Sequence, residues 1–328
     1  MKFITFQKQR EEKLGLYHDG KIIDLHEADE SIPDNMHDFL QNWDNNLPKA
    51  QALLDRKNSW EASAETHDLL APVPRPSSCR DGYAFRQHVA AARRNRSVPM
   101  IEEFDQFPIF YFTNHASIQG PGEIHCMPDH FDKLDFELEI AIVVCRKGLN
   151  FTADEAEKYI GGYMIMNDMS ARTLQMEEMK LNLGPAKGKD FCTVIGPWLV
   201  TPDELDAYKT PAKPGHRGFS FDLKMTCTVN GKQVSEGNVA DMDWTFSEIL
   251  ERCAYGTPIY PGDVIGSGTV GTGCFLELNG TGLLNDPNYI PQWLQPGDVV
   301  EMEIDGLGKL VNTIVADPTP LSLLKMKL

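Results

Sequence analysis

The sequence is short of positive charge. Its 31 Lys and Arg stand against 48 Asp and Glu, a formal net charge of −17. A nucleic-acid backbone is held by clustered cations, so no nucleic acid is expected as partner. Long apolar runs are missing too: none approaches the roughly 18 residues of a membrane-spanning helix, and no membrane span is expected. The opening MKFITFQKQREEK has no sustained apolar stretch, so no signal peptide is expected. Cysteines are few and badly placed for cross-linking. Cys79, Cys126, Cys145, Cys192, Cys227, Cys253 and Cys274 are odd in number and contain no C-x-x-C pair. That excludes a visible disulfide framework or zinc knuckle and points to a reduced compartment, the cytoplasm. Neither G-x-G-x-x-G nor G-x-x-x-x-G-K-[ST] occurs, so a dinucleotide or P-loop site is not expected. Internal repeats and low-complexity tracts are absent.

What is present suits a globular enzyme-sized chain. The 328 residues, 41% of them hydrophobic, are enough for one large domain or a large one with a smaller companion. KFITF, LGLYH and KIIDL near the start read as short strands, with Asp19-Gly20 as a hairpin turn. Met36, Phe39, Leu40, Trp43 and Leu47 follow a helical period over residues 33–56, with Pro48 placed to open a second short helix. The proline-rich LLAPVPRPSSC reads as a connector and puts a boundary near residue 75: a small N-terminal unit, 1–75, and a larger one, 76–328. Beyond it the chain is strand-rich. DLKMTCTV and KQV flank Asn230-Gly231, and Pro261-Gly262-Asp263 and Pro296-Gly297-Asp298 each introduce a strand. Thr152 with Glu155 and Thr245 with Glu248 are capping boxes. There is no βαβ alternation, so the expected class is a β-rich α+β fold.

The stretch KLDFELEIAIVV, residues 133–144, poses the functional question. Successive side chains of a strand face opposite ways, so Asp135, Glu137 and Glu139 share one face. Taken alone this is a strand with a wet outer face. The following AIVVC, however, is apolar on both faces and reads as buried. A buried carboxylate must be paired or coordinated. Hard divalent cations want several such oxygens, and Glu137 and Glu139 are spaced to share one ion. A second stretch, YMIMNDMSARTLQ (163–175), is an apolar strand ending at Asp168, which is either a ligand or a helix cap. Arg172 and Gln175 follow, three apart on one side of a helical turn. A third, CRDGYAFRQHVAAARRNR (79–96), offers Asp81, Tyr83 and His88.

Together, RDGYAFRQH (80–88), KLDFELEIAIVV (133–144), NDMSARTLQ (167–175), LGPAKGKDFCTVIGPWLV (183–200) and SGTVGTGCFLEL (267–278) resemble the fumarylacetoacetate hydrolase family, in the family's order. The resemblance implies a mixed β-roll or β-sandwich with flanking helices, a homodimer, and hydrolysis of a C–C bond in a small β-diketo acid such as fumarylacetoacetate. It implies a divalent metal, Mg²⁺ or Ca²⁺, held by Asp81, Glu137, Glu139 and Asp168, with Lys189 and Thr193 beside it. It assigns His88 as general base and Glu277 as the acid that orients it. Arg172, Gln175, Lys189, Tyr83 and Thr269 become substrate contacts. Lys187 and Lys189 are two apart and share a face in an extended segment; only the motif register selects Lys189, leaving Lys187 as a solvated lysine.

Departures from the family pattern concern the substrate. Met179 stands where the authentic fumarylacetoacetases carry a tyrosine. A second tyrosine is replaced near Phe112, although Tyr111 is adjacent. The basic residue after the general base is Arg93, Arg94 or Arg96. Chemically, a metal takes up the charge of an enolate leaving group, a histidine deprotonates water near neutral pH, and Arg172, Gln175 and Lys189 surround the resulting oxyanion. Acylpyruvate hydrolysis and 2-oxo acid decarboxylation are the alternatives on the same site. A non-catalytic calcium-binding module is a third, against which His88 and Glu277 argue, since neither is needed to hold the ion.

Overall fold

The computed structural model describes residues 1–56 and 68–325. Hairpin turns fall where the sequence puts them. Strands Lys2–Lys8, Glu11–His18 and Lys21–Asp24 form a meander in which His18 pairs with Lys21 across Asp19-Gly20. Strands Lys224–Val229 and Lys232–Asn238 close on Asn230-Gly231 in the same way. The helical stretch departs from expectation at its break. Helix Met36–Gln41 ends at Asn42, and helix Trp43–Arg56 encloses Pro48 instead of beginning there. Asn42 stops the first helix and its carbonyl accepts the Asn46 N–H at 3.0 Å, so the second helix is already running when Pro48 arrives.

Two sheets build the body. The larger runs, strand by strand, through Lys21–Asp24, Glu11–His18, Lys2–Lys8, Thr193–Val200, Ile160–Asp168, Leu138–Val144, Asp263–Gly266, Ser78–Gly82 and Phe110–Thr113. It is antiparallel along this path except between Asp263–Gly266 and Ser78–Gly82, which are parallel. The N-terminal meander joins it through Phe3 opposite Leu199. The second sheet has five strands and includes Val299–Ile304 and Gly308–Ala316.

Strand parity divides the core. Ile140, Ile142 and Ile165 point one way, into a cluster shared with Met225, Val300, Met302 and Leu310 of the second sheet. Ala141, Val143, Met164 and Met166 point the other way, into a cluster with Phe3, Phe39, Leu40 and Trp43 from the first 56 residues. Cys79 belongs to the second cluster. Two residues further along the same faces stand Asp81, Glu139 and Asp168. Alternation therefore carries three acids to one end of one face of the large sheet.

Candidate active site

Asp81 is the penultimate residue of strand Ser78–Gly82, opposite Gly266 on one side and Tyr111 on the other. Glu139 lies in strand Leu138–Val144, opposite Met166. Asp168 ends strand Ile160–Asp168, opposite Thr193. Glu137 sits just before its strand, fixed by a hydrogen bond from its backbone N–H to Asn167 Oδ1 at 3.0 Å. Asp81, Glu137, Glu139 and Asp168 each bring one carboxylate oxygen within 4.8 Å of the others, and all four are buried. Gly266 makes the gathering fit: a Cβ there would stand 2.6 Å from Asp81 Oδ1 and 2.7 Å from Met166 Sδ.

The cluster is underneutralised. Lys189 donates to Glu137 and, at 2.7 Å, to Asp168. Arg172 Nη2 donates to Glu137 at 2.8 Å. Burial raises the Glu137 pKa, but the charges of Lys189, Arg172 and His88 outweigh it and hold the group at about 2. Asp81 is pushed up to about 7 by burial and then by Asp168. Glu139 is pushed well above the usual carboxylate range by burial, then by Asp81 and Glu137. Burial alone would lower the Lys189 pKa; Asp168 and Glu137 raise it, which fixes the side chain as a cation. Asp168 Oδ1 is buried with no hydrogen-bond partner. A buried acceptor left orphaned beside carboxylates held partly protonated is what a hard divalent cation would satisfy. The residues fit such an ion.

Beside this cluster lies a dyad. His88, on helix Arg86–Arg94, has Nδ1 2.6 Å from Glu277 Oε2. Glu277 Oε1 accepts the Thr272 N–H at 3.0 Å. With Nδ1 committed, Nε2 is the free nitrogen. A His88 ring nitrogen, a Glu137 carboxylate oxygen and Cys274 Sγ lie within 4.8 Å of one another. Tyr83 covers the imidazole edge-on, with ring centroids 6.1 Å apart.

The remaining expected residues divide. Arg172 opens helix Arg172–Met179, and its three nitrogens are committed: Nε to Asp135 at 2.8 Å, Nη1 to Gln175 Oε1 at 3.1 Å, Nη2 to Glu137. Thr269 Oγ1 donates to Glu139 Oε1 at 3.4 Å, and Thr193 is buried at the start of its strand. Lys187 is exposed and bonds Asp190 at 3.0 Å, whereas Lys189 is buried in the cluster. Arg93 donates to the Pro99 carbonyl, Arg94 to Thr281 at 2.9 Å and Arg96 to the Ala92 carbonyl at 3.0 Å. Met179 is exposed, as is Phe112, which lies over the Arg80 guanidinium.

Two contributors were not singled out from the sequence. Tyr111 donates to Asp168 Oδ2. Strand parity turns it into the site and Phe112 out, and that parity was the available signal. The Gly268 N–H donates to Asp81 at 3.0 Å and Glu139 at 3.2 Å. It does so with φ at +80° and a Cβ position 2.7 Å from the Gly82 carbonyl, where only glycine fits. Asp135 shares the alternating acids of 133–144 yet holds no place in the cluster: strand pairing lapses at Phe136 and Glu137. Its carboxylate instead takes Arg172 and the N–H groups of Phe275 and Leu276, at 2.7 and 2.9 Å.

A family model described as the C-terminal domain of fumarylacetoacetate (FAA) hydrolase matches residues 78–315. The chain belongs to the fumarylacetoacetate hydrolase family. It is 30% identical over 304 residues to a mitochondrial oxaloacetate tautomerase of Xenopus laevis, covering 92% of this chain and 85% of that protein. An oxaloacetate tautomerase of Bacillus subtilis is 28% identical over 334 residues, 96% and 100% of the two chains. Among solved structures, maleylpyruvate hydrolase from Sphingobium in complex with manganese(II) and pyruvate superposes with a TM-score of 0.69 at 17% identity, covering 96% of this chain and 99% of that one. At that identity the likeness concerns the fold: the β-rich α+β architecture of the family. Membership carries with it an enzyme superfamily acting on small organic acids. Among the described residues no helix is long and apolar enough to cross a membrane.

Proposed function

We propose that this family member is a divalent-metal-dependent enzyme that moves a proton on a small 2-oxo acid, with keto–enol tautomerisation of oxaloacetate as its reaction. The observation that carries the reading is the junction at Glu137, where the carboxylate cluster meets the His88–Glu277 dyad. Mg²⁺, Mn²⁺ or Ca²⁺ suits an all-carboxylate set, and such an ion would supply Lewis-acid stabilisation of the enolate form of the substrate. His88 Nε2 takes the proton at the substrate carbon or enol oxygen and returns it at the other. Glu277 fixes the tautomer through Nδ1 and stabilises the imidazolium while the proton is held. Lys189 is no base here. Locked between Glu137 and Asp168, it balances charge. Tyr83 packs edge-on against the His88 ring and helps hold its orientation.

Hydrolysis of a C–C bond in an acylpyruvate or fumarylacetoacetate, expected from the motifs, is the second reading. The family's own description favours it, and the same dyad is equipped to deprotonate water. It also needs donors aimed at a tetrahedral oxyanion. Arg172 and Lys189, which the sequence suggested for that task, are committed to carboxylates. This supports proton transfer over hydrolysis, as do the names of relatives aligned over most of the chain. A homodimer in a reducing compartment, cytoplasm or mitochondrion, completes the proposal; all seven thiols are buried and unpaired.

The test is spectrophotometric. Loss of oxaloacetate enol absorbance should accelerate with protein and Mg²⁺ or Mn²⁺, stop with chelator, and be absent in His88→Ala. Loss of diketone absorbance from acylpyruvates without any effect on oxaloacetate would install the second reading. Inactivity on both classes would remove the proposal.

A further inference from the structure

The cluster that contains His88 has a third member that the chemistry above does not use. Cys274 is fully buried and precedes helix Phe275–Asn285. One ligand atom each of His88, Glu137 and Cys274 lies within 4.8 Å of the other two. An imidazole nitrogen, a thiol sulfur and a carboxylate oxygen form a zinc-type donor set, unlike the all-oxygen set next to it. The orientation of the imidazole also fits. A zinc-bound histidine ordinarily donates its other N–H to a carboxylate, and His88 Nδ1 is 2.6 Å from Glu277 Oε2, leaving Nε2 as the ligand atom.

We propose that His88, Cys274 and Glu137 form a second, thiophilic metal site through which Zn²⁺ shuts the enzyme off. Zinc bound there takes the Nε2 lone pair that must accept the proton and draws Glu137 away from the hard-cation cluster. The thiol proton leaves to solvent on binding, and water fills the fourth position. Tetrahedral zinc sets its ligand atoms about 3.3–3.7 Å apart. The three ligand atoms already lie within 4.8 Å of one another, so zinc asks them for at most a small closure. His88 and Cys274 are 186 positions apart in the chain, so no spacing motif announces the site. Its inhibitory role rests on the base assigned to His88 above; its existence as a metal site does not.

Metal-stripped protein reloaded with Mg²⁺ is titrated with Zn²⁺, and bound zinc is counted beside activity. Wild type should bind zinc and lose nearly all of its turnover. Cys274→Ser keeps an oxygen that can cap the following helix, as the Sγ does for the Glu277 N–H at 3.5 Å. It should need at least about 10–100-fold more zinc for half-inhibition. Co²⁺ in place of Zn²⁺ should give a near-ultraviolet thiolate charge-transfer band in wild type, absent in Cys274→Ser. That band reads the site even if no substrate is turned over, which separates failure of this inference from failure of the proposed reaction. Equal zinc sensitivity in the two proteins, or a cobalt spectrum without the thiolate band, would overturn it and place zinc at the four carboxylates.

Discussion

Single residues were legible where strand parity and a motif agreed. Glu137 and Glu139 stood out because both lie on one face of a stretch too apolar to be wet. Asp135 sits in the same row without a place in the cluster, because pairing breaks between it and Glu137 and its side chain turns to Arg172. Two predictions belong here. His88→Ala should lower turnover by about 10²–10⁴-fold, the usual weight of a positioned base, while bound Mg²⁺ stays at wild-type content. Glu277→Gln should lose less, since the base remains and only its orientation and charge support weaken. If His88→Ala retains near wild-type kcat, or sheds Mg²⁺ along with activity, the base role fails. The second concerns pH. Without an ion, Asp81 titrates near 7 and Glu139 well above its usual range, so the folded state binds more protons than the unfolded chain, where Asp titrates at about 4. Stability of the metal-free protein therefore falls as pH rises across that window, because a carboxylate raised in the fold favours folding only while protonated. A divalent cation replaces the proton and removes the penalty. The rise in Tm on adding Mg²⁺ should grow from about pH 5 to about pH 8; a constant or shrinking rise would contradict the shared-proton picture.

At the scale of elements, local signals translated directly. Both capping boxes form, with Thr245 N–H to Glu248 at 3.0 Å and Thr152 N–H to Glu155 at 3.3 Å, although the latter opens a 3₁₀ helix. What eluded the sequence depends on distant partners. The glycine-bearing segment around Glu277 gives no helical period, yet it is helix Phe275–Asn285. Its first N–H groups are taken by Asp135, 140 positions away, whose negative charge also suits a helix N-terminus. Through that carboxylate the helix carrying Glu277 is tied to Arg172, and through Arg172 to Glu137. Asp135→Asn keeps the shape and removes the charge. It should cost roughly 3 kcal/mol, because a buried Arg172 loses one of two anionic partners. Urea unfolding measures that cost. Since Glu277 would lose its fixed position, kcat should fall more than substrate affinity. A variant as stable as wild type, with unchanged kcat, would make Asp135 a bystander.

At the scale of the whole molecule, the class was readable and the sheet order was not. Turn residues and alternation announce strands, but pairing is decided by which faces are buried together, and no local pattern states that Lys2–Lys8 will lie beside Thr193–Val200. That pairing bears on the expected boundary near residue 75. Asp81, Glu137, Glu139, Asp168, His88 and Glu277 all follow it, so the first 75 residues supply none of the candidate ligands. Their apolar side chains are not dispensable for the sheet. Phe3, Phe39 and Leu40 are wholly buried against the face that carries Ala141, Val143, Met164 and Met166. Each large side chain so placed contributes about 1.5–3 kcal/mol, and removing the segment exposes both halves of that contact along with the edge of Thr193–Val200. The same face ends in the acids, so its loss reaches the site through strands Leu138–Val144 and Ile160–Asp168 rather than through any ligand. Residues 76–328 expressed alone should aggregate or populate a loosely packed state, read by light scattering and dye binding to exposed apolar surface. A soluble, monodisperse 76–328 fragment that binds Mg²⁺ and turns over substrate at the full-length rate would show that the large sheet holds the site without the N-terminal strands.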